Sequence, residues 1–294
     1  DRWAIQNDLF SLCVSGDEQV RNYLDFSDAY FDEDSYLASV NVAHNLASLY
    51  FRAFDEKFIE EIRSYAINYF RKILSNLGWE PQKSDKHTDA LLRTFTISVL
   101  GKMNDDTVTD DAIRKYQKFL KSPSSLSPDL IETICSIAAW NGNSKTFAEL
   151  KKLYTNAKTM EEKLRFLGAM CGFQDKKLLV RTLNFSQTSE VRSQNMQLPI
   201  MKVAGNPYGE KVLWPWLKKN WKNINKKVGH GNPLFNRIVA SIAGVADDSM
   251  EKEIKVFFKN NPTPGTERTQ SQTLERIRIN SKFLRTMRKE FKNG

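Results

Sequence analysis

The sequence predicts an all-α fold, an α-solenoid-like array of short antiparallel helix pairs of the HEAT/armadillo kind that curves into a concave bowl. Apolar residues recur at helical spacing almost from end to end. Capping and stop signals cut the pattern into segments of about 10 to 20 residues, the usual span of a globular helix. At 294 residues, the chain can bury roughly three quarters of its unfolded surface, enough for one large domain or two lobes sharing a core.

The clearest stripes are Tyr36, Val40, Ala43, Ala47, Tyr50 and Phe54, followed by Phe58, Ile62, Ala66, Tyr69 and Ile73. Each reads as one buried face of an amphipathic helix. Helix starts are expected at Asp55 before Phe58, at Ser127-Pro128, at Ser144 before Phe147, and at Thr159, which forms a capping box with Glu162. Asn206-Pro207 and Asn232-Pro233 repeat the start signal, while Gly142, Gly172, Gly205 and Gly244 stand where helices should stop. Phe95, Ile97 and Val99 alternate as a strand would, but Leu92, Phe95, Val99 and Met103 fit a helix, and the helix is preferred. Two loops, 75–87 and 260–266, read as joints between lobes. No fixed repeat period is present.

The net charge of +9 is unevenly spread. Residues 1–34 are acidic, with Asp1, Asp8, Asp17, Glu18, Asp25, Asp28, Asp32, Glu33 and Asp34 against Arg2 and Arg21. The basic excess lies late, in Lys211, Lys218, Lys219, Lys222, Lys226 and Lys227 and again beyond Thr263. Such a face could attract a nucleic acid, an acidic partner or a peptide carboxylate; ordinary solvation of helices by lysine and arginine is the preferred reading. Cys13, Cys135 and Cys171 have no paired spacing and sit among apolar or small residues, as reduced thiols of a cytoplasmic protein would. No run of 18 apolar residues and no charged-then-apolar leader is present, so no membrane partner is expected. Opening on Asp1 rather than Met, the sequence reads as a piece of a longer chain.

Catalytic signatures are absent. A zinc hydrolase needs at least three converging nitrogen, sulfur or carboxylate ligands, commonly two histidines one helical turn apart with a glutamate nearby. His44, His87 and His230 are far apart in sequence, and none stands in a His-Glu-x-x-His pattern. Nucleophile-elbow, phosphate-loop and dinucleotide signatures are missing as well. The expectation is no catalytic, cofactor or metal residue in this chain. Gly168-Ala169-Met170-Cys171-Gly172 imitates the opening of the Gly-Ala-Met-Glu-Asn signature of zinc aminopeptidases, yet it lacks the Glu and Asn and reads as a helix end.

The segment Arg192-Ser193-Gln194-Asn195-Met196, with Val203-Ala204-Gly205-Asn206-Pro207, Gly209, Trp214 and Leu217-Lys218-Lys219-Asn220-Trp221, is the most informative. It resembles the Ser-Gln-Asp, Asn-Pro-x-Gly, Trp-x-Phe-Leu-x-x-Asn-Trp block of the C-terminal helical domain in aminopeptidase N and puromycin-sensitive type zinc aminopeptidases. Two departures are Asn195 for the aspartate and Trp214-Pro215-Trp216-Leu217 for Trp-x-Phe-Leu. A second block, Pro264-Gly265-Thr266-Glu267-Arg268-Thr269 with Gln272-Thr273-Leu274-Glu275-Arg276-Ile277-Arg278-Ile279-Asn280, resembles the family's terminal helix, with Phe283 in place of its tryptophan. Asp1-Arg2, Asn7-Asp8, Gly16, Tyr23-Leu24 and Gly78-Trp79 are similar to the start of the same domain. The wording leans toward an archaeal tricorn-interacting factor, and the likeness runs from residue 1 to about Arg285.

The resemblance implies that 1–294 is the C-terminal helical domain of a larger metallo-aminopeptidase, a hydrolase that removes N-terminal residues from short peptides in peptide degradation. Zinc would sit in an upstream catalytic domain of the same chain, and this piece alone is expected to be inactive. Its role would be to close a bowl over the catalytic face, limiting substrate length and excluding water. Partners so implied are that domain, short peptides and a tricorn-type protease, with no nucleic acid expected. A bound peptide would point its carboxylate into the bowl, which makes Lys218, Arg268 and Arg276, then Arg93 and Arg192, the candidate peptide-contacting residues. Ordinary surface ion pairs are the competing account of each. Gln194, Asn220, Gln272, Glu275 and Asn280 are expected to fix helices by buried hydrogen bonds, and Trp214, Trp216 and Trp221 to anchor the core. The rival reading is a stand-alone helical-repeat adaptor that binds nucleic acid or an acidic protein on a basic concave face.

Overall fold

In the computed structural model the apolar stripes become helices. It describes residues 2–33, 35–229 and 232–292; Asp1, Asp34 and His230, singled out above, lie outside the described residues. Fifteen α-helices and no strand occur among the described residues.

In chain order they are α1 (Arg2–Ser15), α2 (Val20–Ser27), α3 (Tyr36–Arg52), α4 (Ile59–Leu77), α5 (His87–Lys102), α6 (Asp106–Lys121), α7 (Pro128–Trp140), α8 (Ser144–Asn156), α9 (Met160–Ala169), α10 (Lys176–Ser186), α11 (Gln197–Ala204), α12 (Glu210–Val228), α13 (Pro233–Ser241), α14 (Glu251–Asn260) and α15 (Glu267–Glu290). The alternating stretch at 95–99 lies inside α5. None of these helices is long and apolar enough to cross a membrane.

Several starts fall where the sequence places them. Thr159 Oγ1 accepts from Glu162 N at 3.1 Å while Glu162 takes the amides of Lys158 and Thr159, a reciprocal cap. Pro128 and Pro233 open α7 and α13, and Asn232 Oδ1 accepts from Leu234 N at 2.9 Å. Two expected starts are corrected. Asn143, not Ser144, caps α8 by accepting from Lys145 N. Asp55 caps nothing, because 53–58 is a run of tight turns and α4 begins at Ile59 behind Phe58.

Packing divides the chain into two units, Asp1–Ile137 with Lys282–Gly294, and Ala138–Ser281. The chain passes between them inside α7 and α15, and the loops at 75–87 and 260–266 lie one in each unit.

The first unit is built on Tyr23, Val42, Leu46, Leu49, Ile62, Phe70, Ile97 and Leu100, all buried. A polar knot sits inside it: buried Gln6 donates to Asn41 and accepts from Tyr23 OH at 3.0 Å and Asn45 Nδ2 at 3.1 Å. The end of α15 completes this unit. Glu290 accepts from the amides of Val20 and Arg21 at 3.0 and 2.8 Å, so it caps α2 across the full length of the chain. Phe291 stacks on Phe58 at 4.7 Å, and Arg288 binds Glu56.

The second unit is centred on Leu167, Met170, Phe173, Leu183, Ile200, Leu213, Trp214, Leu217, Trp221, Ile238 and Ile277. Trp214, Trp216 and Trp221 are core anchors, and the Trp221 ring meets Phe235, Phe257 and Phe258 edge-on. The Asn-Pro-x-Gly stretch is the internal fastener. Asn206 Nδ2 donates to the carbonyls of Cys171 and Phe173, each at 2.9 Å, and its Oδ1 accepts from Tyr208 N. Gly209 packs on the Val203 carbonyl so closely that a Cβ would stand 1.9 Å from that oxygen. The glycine is therefore a matter of space.

Candidate functional site

Of the five basic residues expected to meet a peptide, the two on α15 share a face. Arg268 and Arg276 lie eight residues apart, a rise of about 12 Å, and both are exposed with Gln272, Glu275 and Ile279 between and beside them. The opposite side of this stretch, Thr273, Leu274 and Ile277, is buried. Among the described residues neither arginine is held by an acidic side chain, whereas Arg278, turned away from that ridge, binds Glu251 at 3.3 Å. The helix is started by a compact device: Thr266 Oγ1 donates to the Thr263 carbonyl at 2.8 Å, and Gly265 N, at φ +87°, reaches the Glu267 carboxylate at 3.0 Å. The Pro-Gly-Thr-Glu wording is thus a helix start that fixes where Arg268 begins the exposed ridge.

Lys218 is engaged elsewhere. Its ammonium binds Glu253 and lies 5.6 Å from the Trp214 ring, and Trp214 Nε1 donates to the same carboxylate at 3.1 Å. The Lys218 bond, with a smaller contribution from Trp214, holds the Glu253 carboxyl below the ordinary range. Lys218 therefore ties α12 to α14. Arg192 is exposed at the turn before 193–195.

Arg93 requires a correction. It is 1% exposed, with Nε donating to the Gly78 carbonyl at 3.0 Å and Nη2 to the Leu77 carbonyl at 2.9 Å and to Asp85 at 2.7 Å. A guanidinium enclosed in this way clamps the end of α4 and the loop after it; it is out of a ligand's reach. Gly78 takes φ +66° there, a backbone that only glycine adopts without strain.

The expected hydrogen-bonding residues divide. Asn280 donates to the Ala243 carbonyl at 3.1 Å and ties α15 to the tight turn after α13, and Asn220 bonds back to Trp216 within α12. Gln194, Gln272 and Glu275 are exposed instead. Asn195 reaches Met160 Sδ at 3.1 Å.

Histidine, cysteine and carboxylate side chains do not gather into a metal-holding group among the described residues. His44 packs its ring on Phe95, with centroids 4.2 Å apart. All three cysteines are free and buried; burial pushes the Cys13 thiol up to about 12 and raises that of Cys135 as well. No chemical step is assigned to zinc on the described residues.

One basic feature was missed. A 370 Å³ groove is lined by Phe147, Lys151, Lys152, Thr155 and Asn156 of α8 and by Arg181 of α10. The only local signal was the pair Lys151-Lys152, and Arg181 comes about 30 residues later with nothing in the sequence to join them.

The ERAP1-like C-terminal domain family model matches residues 1–279. The chain is similar to Aminopeptidase M1 of Arabidopsis thaliana, 26% identical over 301 residues, covering 99% of this chain and 34% of that protein. Aminopeptidase M1-D of Oryza sativa subsp. japonica is 29% identical over 297 residues, with 99% and 34% covered. The Alanine/arginine aminopeptidase of Saccharomyces cerevisiae is 22% identical over 288 residues, with 97% and 34% covered. The chain spans about a third of the length of these relatives.

Proposed function

Because the chain belongs to the ERAP1-like C-terminal domain family, we propose that it is the non-catalytic C-terminal domain of a zinc aminopeptidase. The observation that carries this reading is that the likeness to proteins named aminopeptidases extends over 99% of the chain while leaving two thirds of each relative unmatched. The catalytic part, with its metal, belongs to that unmatched portion. When bound there, zinc supplies an activated water and polarises the scissile carbonyl.

The outer side of α1 supports a partner on this chain. Ile5 and Leu12, two turns apart on one stripe, are 55% and 47% exposed, and Trp3 is 46% exposed. Burying such side chains is worth roughly 1.5–3 kcal/mol each, and the upstream catalytic domain is the occupant this reading assigns to them. The domain's work is then geometric: it encloses the reaction chamber, limits substrate length and excludes water. Arg268 and Arg276 offer exposed guanidinium groups to the peptide carboxylate. A cytoplasmic setting accords with three free, buried thiols.

Two measurements test the proposal. The purified 294-residue chain should release no amino acid from a fluorogenic substrate, and release that a chelator abolishes would refute it. In the full-length protein, Arg268→Ala and Arg276→Ala should raise KM for peptides more than for amino-acid amides; equal effects on both would remove carboxylate recognition and leave a structural role. Retention on heparin that vanishes at moderate ionic strength, together with no peptidase in the full-length protein, would favour the adaptor reading instead.

A further inference from the structure

We propose that the groove between α8 and α10 is an oxyanion-binding site that takes a carboxylate or phosphate group on Arg181, Lys151 and Lys152. The groove lies wholly in the second unit, and it stands whether or not the chain serves an aminopeptidase.

The cations are set by aromatic faces more than by acids. Arg181 Cζ lies 4.2 Å from the centroid of the Phe147 ring, and Phe147 is itself 3% exposed. The flat of the guanidinium is thereby covered while its N–H edge remains open, which is the edge that pairs with two oxygens of one anion. Lys151 Nζ stands 4.7 Å from the buried Phe185 ring and 3.4 Å from a Glu190 carboxylate oxygen. Among the described residues neither Arg181 nor Lys152 is matched to an acid by an ion pair, and Lys152 is exposed at the rim. Thr155 spends its hydroxyl proton on the Lys151 carbonyl at 3.1 Å and so has none left to donate to an anion, which leaves the cations to hold it. Asn156 adds an amide at the mouth.

Two charges oppose the anion. Glu190 half-neutralises Lys151 across that 3.4 Å contact. The C-terminal end of α8 at Thr155 and Asn156 carries about half a negative charge from its aligned peptides. Against them stand three full positive charges within one groove, and Lys177, exposed one turn before Arg181 on α10, adds a fourth on the same side of that helix. The positive sign wins, and the stacked arginine supplies a fixed geometry that loose lysines lack. Alone, the lysines would make only a diffuse field.

The test is titration calorimetry on the full-length protein at low and physiological ionic strength. Its probes are inorganic phosphate, an acetylated tripeptide with a free C-terminal carboxylate, and the same tripeptide as its amide. Arg181→Gln and the pair Lys151→Gln with Lys152→Gln should each weaken the bound probe roughly tenfold or more. The charge-matched pair Lys222→Gln with Lys226→Gln, on exposed α12 positions, should change binding less than twofold, and thermal melting of all variants checks that they fold. Binding of phosphate alone assigns the group to phosphate, and binding of the carboxylate but not the amide assigns it to a peptide terminus. No binding of any probe overturns the site. So does a loss that the α12 pair reproduces in full, since bulk charge then suffices.

Discussion

Asn206→Ala should be the most costly single side-chain truncation among the polar residues of the second unit. The wild-type amide satisfies two buried carbonyls, those of Cys171 and Phe173, and caps the turn leading into α12 through Tyr208 N. Alanine leaves both carbonyls without that donor at roughly 1–3 kcal/mol each, relieved in part by their remaining lone pairs. Loss of the cap adds about 1 kcal/mol. The sum, about 3–5 kcal/mol, is a large share of the 5–15 kcal/mol that typically holds a domain together. Two further variants separate the terms. Asn206→Ser keeps a capping oxygen and should recover about 1 kcal/mol, whereas Asn206→Asp keeps the cap yet aims a carboxylate at two carbonyl oxygens and should be no better than alanine. Urea denaturation followed by tryptophan fluorescence reads the correct region, because Trp140, Trp214, Trp216 and Trp221 all lie in the second unit. A loss under about 1 kcal/mol for alanine, or an aspartate variant as stable as wild type, would refute the idea that this amide is the fastener.

Three other outcomes follow from the same structure. Arg93→Met keeps the stem but removes the clamp; it should cost about 3 kcal/mol, the low end because Nη1 makes no hydrogen bond among the described residues, and should expose 78–86 to limited proteolysis, with unchanged cleavage counting against the clamp. Glu162 is held below the ordinary carboxyl range, chiefly by the Thr159 amide and then by that of Lys158; the unfolded chain therefore binds its proton more readily, and stability is present above about pH 4.5 and lost as pH falls through the lowered value. Glu162→Gln should flatten that acid limb in a pH series of melting temperatures, and an unaltered slope would remove the capping box from the account. The three thiols should resist a disulfide-exchange reagent in the native protein and all react after unfolding, since each is buried; rapid labelling of the folded protein would contradict the packing described.

Features that depend on near neighbours in sequence were legible. Ala43, Ala47 and Tyr50 of the predicted stripe lie on the buried face of α3, which is centred on Val42, Leu46 and Leu49 and leaves Tyr36 and Val40 only half-buried; Thr159 with Glu162 starts α9, and the resembling blocks turn out to hold the unit together through Asn206, Gly209 and Trp221. Asp55 misled because a cap needs the following residues to enter a helix, and tight turns intervene. The basic residues were hardest to rank. Arg93 and Arg268 look alike on paper; one lies inside the first unit against carbonyls of the α4 end, the other on an open ridge, and only packing separates them. Likewise Lys218 has its acid 35 residues away, and Phe147 has its arginine 34 residues away. No local pattern encodes such meetings.

Glu290, which closes the start of α2, has a consequence for biosynthesis. A ribosome releases α1 to α6 long before the codon for Glu290 is read, so the amides of Val20 and Arg21 must stay hydrated, or be held by something else, while the whole second unit is made. Closing so distant a contact adds little equilibrium cost, because loop entropy grows only with the logarithm of length. What it adds is delay. The early helices must wait for the last ones, and during that interval a chaperone or a hydrophobic neighbour has its opportunity to bind them.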